Sequence, residues 1–197
     1  MPDVAHPFVV QAGSSLFPEV FMSIKKDHTF TIIFIIVCAL TVRTFFFSSI
    51  IVKGVSMEPT FFHGDFVIGN RLVYTGKGPQ RGDLVICRAN DSEFIVKRVI
   101  GLPGDVVEIR FNGAFDDLYI NGELMNEEYL PEPMMQKGDV EYPYTVPEGK
   151  YFVMGDNRNI SNDSRFKAMG DIAEDDVEGR ADIILYPFSR LGKADKG

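Results

Sequence analysis

Between Thr29 and Val42 the chain reads TFTIIFIIVCALTV, fourteen residues without a charged side chain. That is short of the roughly 20 residues a helix needs to cross a bilayer, and a run of this length also suits a buried helix or the centre of a signal peptide. The flanks decide between these readings. Arg43 comes next, followed by TFFFSSIIV to Val52. A long arginine side chain can snorkel to the headgroup level, which lets the apolar helix continue past it and brings a single crossing of roughly 18 to 20 residues within reach. A removable signal fits less well, because 28 residues precede the run and Phe45, Phe46 and Phe47 stand where an Ala-x-Ala-like site would be. The reading is an uncleaved transmembrane anchor over 29–47 behind an N-terminal tail over 1–28. Lys25 and Lys26 favour a cytoplasmic N-terminus, while Arg43 and Lys53 on the other side leave the charge bias weak. Residues 1–24 show no periodicity and read as a flexible or membrane-surface segment.

From Thr44 onward the pattern is β. Runs such as DFVIGNRLVY, DLVICRA, FIVKRVIG, VVEIRF, KYFVMG and ADIILYP are rich in β-branched and aromatic residues and are separated by Gly, Pro, Asn and Asp. Asn112-Gly113 and Asn121-Gly122 are tight-turn signals. The expected fold is mainly β, an antiparallel sheet or barrel-like domain over 48–197, with a short irregular insertion at about 125–149. At 197 residues, with 45% hydrophobic residues, one main domain is expected.

Composition narrows the function. The net charge is −8, without a dense basic cluster, so no nucleic-acid partner is expected. Cys38 lies in the apolar run and Cys87 in a strand-like segment, so no disulfide is expected between them. His6, His28 and His63 lie apart from any zinc-ligand pattern, so no metal is expected.

The stretch KGVSMEPTFFHGD sets Ser56 between Val55 and Met57, at the end of an extended run and the start of a turn. A serine hydroxyl is a poor nucleophile until a base takes its proton. Histidine is the usual partner, yet only His63 is on the right side of the anchor, and its turn context reads as an exposed loop residue. Lys97 in EFIVKRVIGLPGD is the alternative: alternation puts Ile95 and Val99 on its face, with Val96 and Arg98 on the other. An apolar setting disfavours the ammonium form, so such a lysine can serve as a general base, although a solvent-facing strand lysine is the commoner case. The loop GDNRNISNDSR adds Ser161, suited to orienting a neutral amine, and an Asp163-Arg165 pair suited to bracing the loop. Its plain alternative is a solvated turn with an ion pair.

Taken together, SMEPTF, GDFVIGNRL, KRVIGLPGD and GDNRNISNDSR resemble, in order, the four boxes of the bacterial type I signal peptidases, membrane-anchored Ser-Lys proteases with a LexA-like catalytic fold. The similarity covers about Val37 to Gly192, including the closing GRADIILYPFSRLG. Four boxes in order behind an apolar anchor are far more specific than any one of them. The resemblance implies that Ser56 is the acylating nucleophile, Lys97 its general base, Ser161 the serine that orients the lysine, and Asp163 and Arg165 the pair beneath. It implies a β-rich fold and no cofactor. It also implies a single-pass protein of the bacterial cytoplasmic membrane with its catalytic domain on the extracytoplasmic side.

The sequence departs from the family pattern in places. Gly54 stands where many Gram-negative members carry an oxyanion-donating serine, which leaves the oxyanion to backbone N–H groups, chiefly that of Ser56. Arg158-Asn159-Ile160-Ser161 replaces the more usual Arg-Asp-Asn-Ser. The segment between Lys97 and Gly155 is short, so the second domain of larger members should be much reduced. The expected partners are the signal peptides of exported preproteins, cut after a small residue of Ala-x-Ala type, together with membrane lipid and a secretion translocon. Met57 and a strand starting near Phe45 are the expected walls of the substrate pockets. Two other readings compete: a LexA-like self-cleaving Ser-Lys protease, which would carry a DNA-binding domain in place of the apolar run, and a catalytically silent membrane-anchored binder of signal sequences.

Overall fold

A computed structural model describes residues 17–90 and 93–194 and divides at Val42 and Arg43 into two compact units. The N-terminal unit contains most of a single helix, α1 (Phe17–Phe46). Pro18 sits in its first turn, where a missing N–H is tolerated, and no Gly or Pro follows until Gly54. The helix therefore starts before the expected anchor and takes in residues 17–28 of the expected tail; residues 1–16 lie outside the described residues. Its His28–Phe46 stretch is 19 residues long with a mean hydropathy of 2.1, long and apolar enough to cross a membrane. Phe30, Ile32, Phe34, Ile36 and Val37 are all exposed, the all-round apolar surface expected of a helix solvated by lipid.

The second unit is built from two antiparallel sheets. In chain order the strands are β1 (Phe47–Ile51), β2 (Phe66–Asn70), β3 (Leu84–Asn90), β4 (Glu93–Gly101), β5 (Val106–Phe111) and β6 (Asp116–Ile120). They continue with β7 (Glu123–Leu124), β8 (Tyr144–Thr145), β9 (Lys150–Met154), β10 (Ile172–Ala173), β11 (Val177–Tyr186) and β12 (Gly192–Lys193). The larger sheet runs β1-β2-β11-β3-β4-β9-β10 with β12 beside β11, and the smaller runs β7-β6-β5-β8. The turn between β6 and β7 is Asn121-Gly122, with φ of 53° and 83°, as a tight hairpin requires.

Strands β3 and β4 are buried on both faces, which explains their nearly unbroken apolar runs. Leu84, Ile86 and Val96 enter one core with Met57, Phe61, Val67 and Ile184. Val85, Cys87 and Val99 point the other way, into a core with Tyr151, Val153 and Ile172. A third cluster joins the small sheet, through Val107, Ile109, Leu118 and Ile120, to Phe152 and Met154 of β9. The irregular stretch from Met125 to Gly149 contains only β8, yet its Met134 and Val146 are buried in that third cluster.

Candidate active site

Lys97 lies in β4 opposite Val85 of β3 and is only 4% exposed. Its face carries Ile95 and Val99, as alternation requires, so it is not a solvent-facing edge lysine. The next residue, Arg98, is buried on the opposite face. Two consecutive buried cations in one strand demand two different solutions.

The nucleophile candidate sits in the loop between β1 and β2. That loop is closed at its base by Val52 N–H to the Asp65 carbonyl (2.8 Å) and Gly64 N–H to the Val52 carbonyl (2.9 Å). Gly54 has φ of +84°, a left-handed conformation that reverses the chain just before Ser56. Met57 and Phe61 plug into the core below, and Phe61 N–H bonds to the Met57 carbonyl at 2.9 Å. The Asp65 carboxylate accepts from Phe62 N–H at 2.8 Å. The Ser56 side chain is thereby presented at Lys97, whose Nζ donates to Ser56 Oγ at 2.8 Å and to Ser161 Oγ at 2.9 Å. His63 is exposed, and its Nδ1 accepts from Gly54 N–H at 3.1 Å, so it is engaged away from Ser56.

The third contributor is the loop after β9. Gly155 N–H donates to Asp163 Oδ2 at 3.0 Å, Asn157 N–H to the Ser56 carbonyl at 3.0 Å, and Ser161 N–H to the Asn157 carbonyl at 3.0 Å. Arg165 donates to Asp163 through Nε (2.8 Å) and Nη2 (2.9 Å), and both side chains are fully buried. Gly155 is required by space: a Cβ there would fall 2.3 Å from Ser161 Oγ and 2.4 Å from the Ser56 carbonyl oxygen. All five residues singled out in the sequence, Ser56, Lys97, Ser161, Asp163 and Arg165, thus belong to one connected cluster.

The electrostatics follow from burial and from how charges are shared. Burial holds the Lys97 amine below the usual lysine range, with Arg165 acting in the same direction and Asp163, Cys87 and Asp156 opposing. Burial alone would raise the Asp163 carboxyl, but its bonds with Arg165, Ser161 and Gly155 N–H hold it below the usual carboxylate range. Asp163 is therefore an anion whose hydrogen-bonding capacity goes to Arg165 and the loop. The buried Cys87 thiol is pushed up to about 12, mainly by burial, so it stays neutral beside the lysine.

Several supporting residues were not legible as such. Arg98 pairs with Asp156 through two bonds of 2.8 Å, and Asp156 also accepts from Thr60 Oγ1 of the Ser56 loop at 2.5 Å. Arg158, wholly buried, pairs with Glu127. Asp156 and Arg158 stand inside the GDNR stretch, and Arg98 follows Lys97, so adjacency was the available signal. Ser164 closes the loop by accepting from Val153 N–H at 3.0 Å.

Two grooves meet at Ser56. One is lined by Ile50, Val52, Met57, Phe94 and Val96, the other by Ile95, Lys97, Asn162, Ala168 and Met169. Met57 is a wall as expected. The strand expected near Phe45 begins at Phe47, because the helix continues through Phe46, and it lines the first groove through Ile50, with Val52 just beyond it. Among the described residues, no group of three His, Cys, Asp or Glu side chains is placed to hold a metal ion.

Residues 25–186 match the family described as signal peptidase, peptidase S26. Signal peptidase I of Bacillus licheniformis is 40% identical over 184 residues, 87% of this chain and 96% of that protein. Signal peptidase I P of Bacillus subtilis subsp. natto is 38% identical over 177 residues, 85% of this chain and 92% of that one. A crystal structure of a signal peptidase I from Enterococcus faecalis V583, 38% identical, covers 53% of this chain and 97% of its own, with a TM-score of 0.42. With a family match over most of its length and relatives this similar over more than four fifths of it, the chain belongs to the peptidase S26 family of signal peptidases, in its bacterial type I branch.

Proposed function

We propose that this serine peptidase cleaves signal peptides from exported preproteins by acyl transfer, with Ser56 as nucleophile and Lys97 as general base. The observation that carries this reading is the setting of Lys97 Nζ, a buried amine whose hydrogen bonds go to two hydroxyls, those of Ser56 and Ser161. In its neutral form the amine has a lone pair, and the Ser56 hydroxyl can donate its proton to it. Ser161 fixes the amine's direction, and the Asp163-Arg165 pair holds Ser161. The alkoxide adds to the carbonyl carbon after a small residue, and the Ser56 N–H, which has no partner among the described residues, is available to the oxyanion. Collapse of the tetrahedral intermediate breaks the C–N bond, and the Lys97 ammonium returns the proton to the leaving amine. Lys97 then deprotonates a water that hydrolyses the ester. The apolar groove lined by Ile50, Val52 and Met57 suits small side chains of Ala-x-Ala type.

The apolar helix supports a single-pass anchor in contact with lipid, and the proposed substrate implies a bacterial cytoplasmic membrane with the β unit on its extracytoplasmic side, near a secretion translocon. That placement matches the chemistry, since a signal peptide's own apolar segment lies in the bilayer. Cleavage after Ala-x-Ala in detergent, read by product mass and abolished by Ser56→Ala and by Lys97→Ala, is the expected result. Cleavage that survives Lys97→Ala would remove the base assignment, and none by the intact protein would favour a silent signal-sequence binder. For sidedness, Lys137→Cys should react with a membrane-impermeant thiol reagent added to whole cells; labelling only after lysis would reverse the orientation.

A further inference from the structure

From Met125 to Pro143 the chain has no regular structure, yet its polar groups converge on the loop that carries Ser161. Glu127 accepts from both terminal nitrogens of the buried Arg158, at 2.7 and 2.5 Å. The Tyr129 ring lies 3.8 Å from the Arg98 guanidinium carbon and 6.0 Å from that of Arg158, and its hydroxyl donates to Glu127 Oε1 at 2.7 Å. Further along, the Gln136 carbonyl accepts from Arg165 Nη1 at 2.5 Å. Gly138 packs so closely that a Cβ would fall 2.2 Å from the Arg165 carbonyl oxygen. None of these groups bonds to Ser56 or Lys97. All of them bond to, or pack against, the arginines that surround the site.

We infer that the 125–140 segment is a strap on the back of the catalytic loop and that Glu127 is a positioning residue for the Ser56-Lys97 pair, acting through Arg158. This rests on the Ser-Lys reading above. The path is continuous. Arg158 Nε donates to the Gly155 carbonyl at 3.1 Å, and the Arg158 carbonyl accepts from Arg165 Nη2 at 2.7 Å. Arg165 holds Asp163, and Asp163 accepts from Gly155 N–H. Both ends of the turn that presents Ser161 therefore run through Arg158. Without the Glu127 carboxylate, a fully buried guanidinium loses its counter-ion, which is strongly unfavourable unless the side chain moves toward water. That movement would carry the Gly155 and Arg158 carbonyls with it and loosen Ser161 from Lys97. Tyr129 keeps the Arg98 and Arg158 guanidiniums apart with an aromatic face that attracts both.

The test uses the full chain in detergent, with parent, Glu127→Gln and Glu127→Asp compared in cleavage kinetics, in melting temperature, and in the titration of Lys97 Nζ followed by NMR on lysine-labelled protein. Glu127→Gln should lower kcat about 10- to 100-fold, because misplacements on the ångström scale cost that much in positioned reactions. KM should change little, the acid limb of the pH profile should shift, and Glu127→Asp should recover part of kcat. Glu178→Gln, which removes a mostly buried carboxylate paired with the half-exposed Arg71 and Arg88 away from the Ser161 loop, should leave kcat and the Lys97 titration unchanged. If Glu127→Gln does not fold, Tyr129→Phe, which deletes one hydroxyl, takes its place, with a smaller fall in kcat expected. A Glu127→Gln protein with parental kcat and parental Lys97 titration overturns the inference, whatever its melting temperature. Failure of the parent to cleave would instead overturn the Ser-Lys reading, and the Lys97 titration would still decide whether Glu127 positions that side chain.

Discussion

Lys97 and Arg98 are neighbours in β4, both buried, and face opposite sides of one sheet. Arg98 meets a carboxylate, Asp156, in a two-pronged pair, and stacks over Tyr129. Lys97 meets two hydroxyls, and the carboxylate near it, Asp163, is already paired with Arg165. A guanidinium is a permanent cation and fits a carboxylate through two parallel bonds; an amine can give up its charge instead. One face uses a fixed charge to brace the scaffold, and the other uses burial to make a proton removable. The two residue types are therefore not interchangeable at these positions, although both are basic.

The largest effect should come from exchanging these roles. Lys97→Arg puts a group that cannot deprotonate beside Ser56, and cleavage should fall about 10²- to 10⁴-fold, the usual worth of a general base, while the melting temperature shows a folded protein. Activity near the parent's would mean that proton removal does not run through position 97. Next in size is the brace. Asp156→Asn removes the carboxylate that the buried Arg98 pairs with and should destabilise the domain by about 3–5 kcal/mol in denaturant unfolding. A loss below about 1 kcal/mol would place this pair with ordinary surface bridges.

The smallest effect is a slope. Because the Lys97 pKa is lowered on folding, the unfolded chain binds more protons than the native one between the native value and the ordinary lysine value of about 10.4. Stability should therefore rise with pH across that window, by at most about 1.4 kcal/mol per pH unit from this group. Lys97→Met should flatten that rise, and an unchanged slope would show that the lysine is not depressed.

The strands, the Asn121-Gly122 hairpin and the five residues that cluster at Ser56 were legible because each has a local signature: alternation, a left-handed turn pair, or a short box. Alternation in EFIVKRVIG assigned Lys97 to the face of Ile95 and Val99, though only burial of both faces of β4 excluded an exposed lysine. Sheet order was not legible, since β2 pairs with β11 more than a hundred residues later. Neither was the part played by Glu127, which lies in an irregular stretch and meets Arg158 across 31 residues. Propensity acts over a few residues, and a carboxylate among turn formers looks the same whether it faces water or a buried guanidinium. The start of the helix at Phe17, twelve residues before the apolar run, was not legible either, because the sequence there shows no hydrophobic periodicity.

The cluster at Ser56 joins positions 41 residues apart, Ser56 to Lys97, and 64 apart, Lys97 to Ser161. Contacts of such sequence separation form late, because the entropy of closing long loops must be overcome before they exist. During synthesis a chain that has reached β4 already contains both the serine and the lysine, but not the turn that orients the amine. If Ser56 and Lys97 act as proposed, the emerging chain is inert toward its own unfolded segments until the turn bearing Ser161 has been made and has folded.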